Sequence, residues 1–239
     1  MRIKKSTMTL SVLSNISEEP SPERALRNYR QLAVNYDATC TRIEALRLEV
    51  VHLLDIKVGE TVFDVACGTG PTLPMLAKAV GLKGRVVGVE LSPEMARLAR
   101  ERVSGLPQVA VAQTSMADFL CSADARADAV LLCYAHDVLQ SPVAIDQLIA
   151  SARPGARIAM LGMQTLPWWW GWPTNFFNLY RARRYLTTYA NMDRPWRLLE
   201  QRGAQLRLVR TALFGSAYLV VGKVPNEAHY GYGFERSLD

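Results

Sequence analysis

A chain of 239 residues and 26.6 kDa has the size of one hydrophobic core with some decoration, so two large domains are not expected. Its 49% hydrophobic and 21% charged residues, with mean hydropathy +0.02, argue against global disorder, and no uncharged apolar run is long enough to span a bilayer. Twenty-eight basic against 22 acidic residues leave +6, which suits nucleic acid, anionic lipid or an acidic small molecule, or simply a basic solvated surface.

At the start, Arg2, Lys4 and Lys5 precede a short, half-polar stretch with no small-residue cleavage site. No secretory signal is expected, and a cytoplasmic location is. Glu18-Glu19-Pro20-Ser21-Pro22 closes a stretch, residues 1–22, that reads as a flexible leader. Residues 23–57 read as a helical cover: in 42–55 the set Ile43, Leu46, Val50, Leu53 and Leu54 falls on one helical face. From residue 60 short β-branched runs alternate with helical patterns. Strands are expected at 61–66, 85–90, 109–113, 128–134 and 157–162, with helices at 73–80, 93–103 and 143–152. That alternation predicts an α/β fold with a parallel sheet covered on both faces. Two final β-rich runs, 205–213 and 216–223, predict an antiparallel hairpin at one sheet edge. Between them and the fifth strand lies an aromatic, basic insertion at about 167–202, too long for a simple connection. Residues 226–239 read as a tail. Cys40, Cys67, Cys121 and Cys133 show no C-x-x-C and no Cys/His metal spacing, so neither disulfides nor a metal site is expected.

The most informative segment is Val62-Phe63-Asp64-Val65-Ala66-Cys67-Gly68-Thr69-Gly70-Pro71, a strand that ends in a carboxylate and a small-residue loop opening a helix. A dinucleotide site would need G-x-G-x-x-G, but Leu73 stands at the third glycine position, and Asp64 would repel a pyrophosphate. The carboxylate suits a ligand with a positive charge instead. Glu90 ends the next strand, where a carboxylate can accept both hydroxyls of a ribose, and Ser92-Pro93 announce the helix that follows.

With these residues in register, 58–225 resembles the class I S-adenosylmethionine-dependent methyltransferases of small-molecule type. The resemblance implies a Rossmann-like, doubly wound seven-stranded sheet, mostly parallel with a C-terminal antiparallel hairpin. It implies S-adenosyl-L-methionine as methyl donor, S-adenosyl-L-homocysteine as product, and no metal. It places Asp64, Ala66, Cys67, Gly68 and Gly70 at the donor's amino-acid end, Glu90 at the ribose, and Leu91, Ser115 and Met116 at the adenine. Cys133 would face donor and acceptor, and Tyr36, in a Tyr36-Asp37 pair, would close over the donor or line the acceptor pocket.

For chemistry, His136 is the candidate base that keeps an acceptor nucleophilic, with Asp137 either orienting it or capping the next helix; a histidine bonded into the sheet edge is the plainer alternative. In the insertion, Trp168, Trp169, Trp170, Phe176, Phe177 and Tyr180 can form an apolar lid on a flat acceptor. With Arg181, Arg183 and Arg184 they can instead form a membrane-facing patch, or simply pack the sheet edge. The expected reaction is methyl transfer to nitrogen or oxygen of a small apolar or aromatic acceptor. The alternatives are a membrane lipid headgroup or quinone precursor, with peripheral membrane contact, and a nucleic-acid methyltransferase or binding protein. Against nucleic acid, Cys133-Tyr134-Ala135-His136-Asp137 stands where a base methylase carries N/D-P-P-Y/F. Oligomeric state is left open, a homodimer included.

Overall fold

The computed structural model describes residues 19–32 and 43–226. Two helices, α1 (Pro22–Leu32) and α2 (Glu44–Leu53), precede the sheet. The alternating segment follows: β1 (Thr61–Val65), α3 (Leu73–Val80), β2 (Arg85–Glu90), α4 (Pro93–Arg102), β3 (Val109–Gln113), β4 (Ala127–Cys133), α5 (His136–Leu139), α6 (Pro142–Ser151) and β5 (Ala152–Met163). After the insertion helix α7 (Trp168–Ala182) and short α8 (Arg197–Gln201) come β6 (Gln205–Ala212) and β7 (Ala217–Lys223).

The strands form one seven-stranded sheet in the order β3-β2-β1-β4-β5-β7-β6. The first five are parallel neighbours, while β7 runs antiparallel to both β5 and β6. The predicted fold class is therefore the observed one, with one refinement: β6 forms the edge and β7 inserts beside β5. The order reverses between β1 and β4, and in such sheets ligands sit at the carboxyl ends beside that reversal.

Strand alternation divides the apolar side chains between two faces. Val62 and Val86 pack with Leu46 and Val50 of α2 and with Leu73, Leu76 and Val80 of α3. Phe63, Val65, Val87 and Val89 join Ile145 and Leu148 of α6 and Trp196 on the other face. Asp64 shares Val62's face, and so lies inside the packing beneath α2 and α3. Arg157 fastens α2 to the sheet through the Leu54 carbonyl at 3.0 Å and an ion pair with Glu60.

Two sequence boundaries change. The leader expected through residue 22 is anchored at its end, since the Ser21 N–H donates to Thr187 Oγ1 at 3.0 Å and α1 begins at Pro22. The insertion contains a 15-residue helix, α7, that carries Pro173 within it.

Candidate functional site

A cavity opens at the carboxyl ends of β1, β2 and β4, where the strand order predicts a ligand. Its floor is the glycine loop. Ala66 and Gly68 both line it with positive φ, 56° and 59°, so the chain leaves β1 by a left-handed turn and exposes backbone to the cavity. Gly70 serves packing instead: a Cβ there would lie 2.8 Å from Leu73 Cδ1 and 3.1 Å from Ala99 Cβ.

Glu90 stands at the cavity wall with its carboxylate fixed by two backbone donors. Gly68 N–H donates to one oxygen at 2.9 Å and Ser92 N–H to the other at 2.8 Å. Burial nonetheless raises its pKa, against these hydrogen bonds. Each oxygen keeps lone-pair capacity for a ligand hydroxyl. Ser92 also caps α4 by accepting from Met95 N–H at 3.3 Å.

Asp64 lies just behind the floor, 1% exposed, accepting a hydrogen bond from the Thr72 hydroxyl through Oδ2. Its Oδ1 has no partner, and neither has Nε of Arg47, an 8% exposed side chain on α2. Burial pushes the Asp64 carboxyl up to about 7; the Thr72 bond and the Arg47 charge pull it down, and the Glu90 charge raises it further. An orphaned, half-ionised carboxylate beside a glycine floor is a costly arrangement that a ligand ammonium group would relieve. These residues thus fit the amino-acid end and ribose of S-adenosylmethionine: Asp64 for the ammonium, backbone around Gly68 beneath it, and Glu90 for the ribose hydroxyls.

Leu91, Ser115 and Met116 also line the cavity. Ser115 Oγ is engaged, donating to Asp118 Oδ2 at 2.6 Å and accepting from Asp118 N–H at 3.1 Å. Asp118, which also lines the cavity, is the carboxylate of this turn.

From the end of β4 onward the cavity is lined by Cys133, Tyr134, His136 and Asp137. His136 is buried with neither ring nitrogen hydrogen-bonded. Burial lowers its pKa to about 4, with the Ala190 backbone opposing this. The ring is therefore neutral at pH 7, with a nitrogen lone pair available. Asp137 neither orients His136 nor caps α5. Its carboxylate accepts from Thr187 N–H at 3.1 Å and Thr187 Oγ at 2.8 Å, fastening the loop after β4 to the segment after α7.

Of the other expected residues, Cys67 is buried behind the floor, its thiol pKa pushed up by burial, and Tyr36 lies outside the described residues. None of Trp168, Trp169, Trp170, Phe176, Phe177 or Tyr180 lines the cavity; all six are exposed on α7. The aromatic cover comes from elsewhere. Tyr29 of α1 lines the cavity opposite Tyr185 and Leu186, and its hydroxyl donates to the Tyr185 carbonyl at 3.2 Å. Leu26 lines the cavity one turn earlier on α1. The sequence predicts a helical cover over 23–57, but the partner of Tyr29 lies over 150 positions away. Among the described residues, no group of three or more His, Cys, Asp or Glu is placed to hold a metal ion.

Residues 62–155 match the family model described as "Methyltransferase domain". Over 156 residues the chain is 30% identical to demethylmenaquinone methyltransferase of Symbiobacterium thermophilum, covering 60% of this chain and 62% of that protein. Over 110 residues it is 36% identical to 2-phytyl-1,4-naphtoquinone methyltransferase of Synechococcus elongatus, covering 45% and 47%. The chain thus spans less than two thirds of either relative. Among solved structures, a SAM-dependent methyltransferase from Aquifex aeolicus superposes with a TM-score of 0.60 over 77% of this chain and 93% of that one, at 23% identity. With the glycine floor, the strand order and the family match in agreement, residues 62–155 form the core of a class I, S-adenosylmethionine-dependent methyltransferase domain.

Proposed function

We propose that this protein transfers a methyl group from S-adenosylmethionine to a small, substantially apolar, ring-bearing acceptor of the quinol or phenol type. The observation that carries the reading is the polarity of the cavity: the fixed Glu90 carboxylate at the glycine-loop end, with the orphaned Asp64 just behind the floor, and at the other end a neutral histidine among Tyr134, Tyr185 and Leu186. The two quinone-named relatives support a ring acceptor.

When bound, the donor supplies an electrophilic methyl group on a sulfonium. The chain's own residues do the rest. Glu90, its carboxylate fixed by the Gly68 and Ser92 N–H groups, would hold the ribose, while Asp64 would offer its unpaired Oδ1 to the ammonium. Alignment of the two reactants is then set by a rigid floor, which is how binding energy becomes rate. His136, uncharged, accepts the acceptor's hydroxyl proton at a ring nitrogen as the nucleophile forms. The Tyr29 and Tyr185 rings shield the reacting atoms from water, and Thr187 holds that cover in place by binding both Asp137 and Ser21.

A lipid headgroup amine is the less supported acceptor. A cationic headgroup would need a free carboxylate on the acceptor side, and Asp137 there is committed to Thr187. The test is transfer of a labelled methyl group to reduced naphthoquinone, simple phenol and ethanolamine acceptors. Label in the naphthoquinol or phenol products supports the reading. Label in ethanolamine alone, or in none of them by a protein that binds the donor, contradicts it.

A further inference from the structure

We infer that the outward face of α7, continued by the turn between β6 and β7, is a docking surface for an anionic lipid bilayer, seated so that the cavity's acceptor end lies against the membrane. This rests on the reading of an apolar acceptor and adds its source.

The helix is built inside out. Its inward residues are Gly171, Asn175 and Ala182, at helical spacing and buried. Gly171 is required there because a Cβ would lie 2.3 Å from Leu166 Cβ. The Asn175 side chain satisfies both the N–H and the carbonyl of Leu166, at 2.8 Å each. The aromatic residues face out: Trp168, Trp172, Phe176 and Tyr180 form one i, i+4 stripe, with Trp169 and Phe177 beside it, and Trp169 is 84% exposed. A helix stabilised only by its core would carry these residues on the other side.

A second feature extends the patch. Leu213 and Phe214 form the β6–β7 turn with φ of 50° and 57°, a left-handed backbone that costs non-glycine residues energy, and Phe214 is 98% exposed. This tip adjoins the base of α7, since a Cβ on Gly215 would lie 2.8 Å from Leu166 Cδ2. A strained turn presenting a bare phenylalanine thus lies near the start of a helix with seven exposed aromatics.

Charge selects the occupant. No Asp or Glu occurs from Pro167 to Met192, whereas Arg181, Arg183 and Arg184 crowd the helix's end. Arg181 lies over the Phe177 ring at 5.5 Å and Arg183 over Tyr180 at 3.8 Å, so the cations share the aromatic face. A symmetric pairing of two copies through this face would bury the arginines of both with no acid among residues 167–192 to offset them. A bilayer meets both needs, with rings at the headgroup level and arginines on phosphates. Among the described residues no helix is long and apolar enough to cross a membrane, so the geometry is that of a helix lying on the surface. Tyr185 and Leu186, which line the cavity, follow three and four residues after α7 ends, so the cavity wall continues directly from the helix.

The experiment is cosedimentation of the full chain with phosphatidylcholine vesicles, with and without phosphatidylglycerol, alongside tryptophan emission and donor binding by calorimetry. Wild type is expected to bind the phosphatidylglycerol vesicles with a blue-shifted emission and to release in high salt. Trp172→Glu and Phe214→Glu should each lose at least tenfold in vesicle affinity, and Arg184→Gln about fivefold, with donor affinity unchanged in all three. The inference is overturned if wild type binds neither vesicle, if all three variants bind as wild type does, or if the chain sediments as a dimer that Trp172→Glu dissociates without any vesicle binding. Vesicle binding by a protein that takes up no donor would uphold the docking surface and sink the methyltransferase reading.

Discussion

Replacing Asp64 by asparagine isolates the most unusual group in the site. The carboxyl's pKa stands at about 7 against an ordinary 3.8, principally because it is buried. Between these values the folded, donor-free chain holds a proton that the unfolded chain has released, so acidification stabilises the fold through this group and a rise in pH costs stability. Worked through linkage, the cost is about 4 kcal/mol at pH 8 and under about 2 kcal/mol at pH 5. Asparagine is neutral at both. The Asp64→Asn protein should therefore be the more stable of the two at pH 8, and its margin over wild type should shrink by roughly 2 to 3 kcal/mol on going to pH 5. For a chain of this size that is a change of roughly 4 to 12 °C in the difference between the two melting temperatures. Glu90 and His136 also carry shifted pKa values, but they titrate in both proteins and largely cancel in the difference. The assay is thermal or urea unfolding of both proteins, without donor, at half-unit steps of pH. Stability curves that run parallel from pH 8 to pH 5 would refute the assignment of a buried, unpaired carboxylate.

Other outcomes follow from the same geometry. His136→Gln should lower turnover by about 10² to 10⁴ if the ring takes the acceptor's proton. Because burial holds the wild-type ring neutral down to about pH 4, the wild-type rate should show no histidine titration between pH 5 and 7; a tenfold fall per pH unit across that range would contradict it. Thr187→Val removes the hydroxyl that binds both Ser21 and Asp137, and leaves the buried carboxylate with backbone donors alone. Unfolding free energy should fall by about 1 to 3 kcal/mol and limited proteolysis near residue 21 should quicken; unchanged cleavage would show that Thr187 does not anchor α1. Gly70→Ala, at φ 73° with Leu73 and Ala99 in the way, should cost about 1 to 3 kcal/mol in urea melts.

The parts of the site that sequence revealed are those whose chemistry is written in neighbouring residues. Asp64 through Gly70 announced a floor because a strand, a carboxylate and two glycines stand in a row, and Glu90 announced itself by ending the next strand. Ser92 was readable as a cap for the same local reason. Asp137 was misread because its position one residue after His136 suggested an orienting or capping role, whereas its partner, Thr187, is fifty positions away. Tyr29 and Tyr185 meet over a still longer gap, so neither sequence neighbourhood could show that they cover the cavity. The aromatic insertion is the instructive case. Composition fits a lid or a surface equally, and what decides between them is the spacing of Gly171, Asn175 and Ala182, small or polar residues on one helical face that must pack inward if the rings do not. That signal lay in the sequence, beneath the more conspicuous tryptophans.

The central claim, that the glycine floor and Glu90 hold S-adenosylmethionine, is tested most directly by calorimetric titration of the donor into wild type and Glu90→Gln. The account predicts one equivalent bound by wild type and an affinity at least tenfold lower in the variant, since the amide accepts through one atom where the carboxylate accepts through two. Equal affinities, or no heat with wild type, would contradict it.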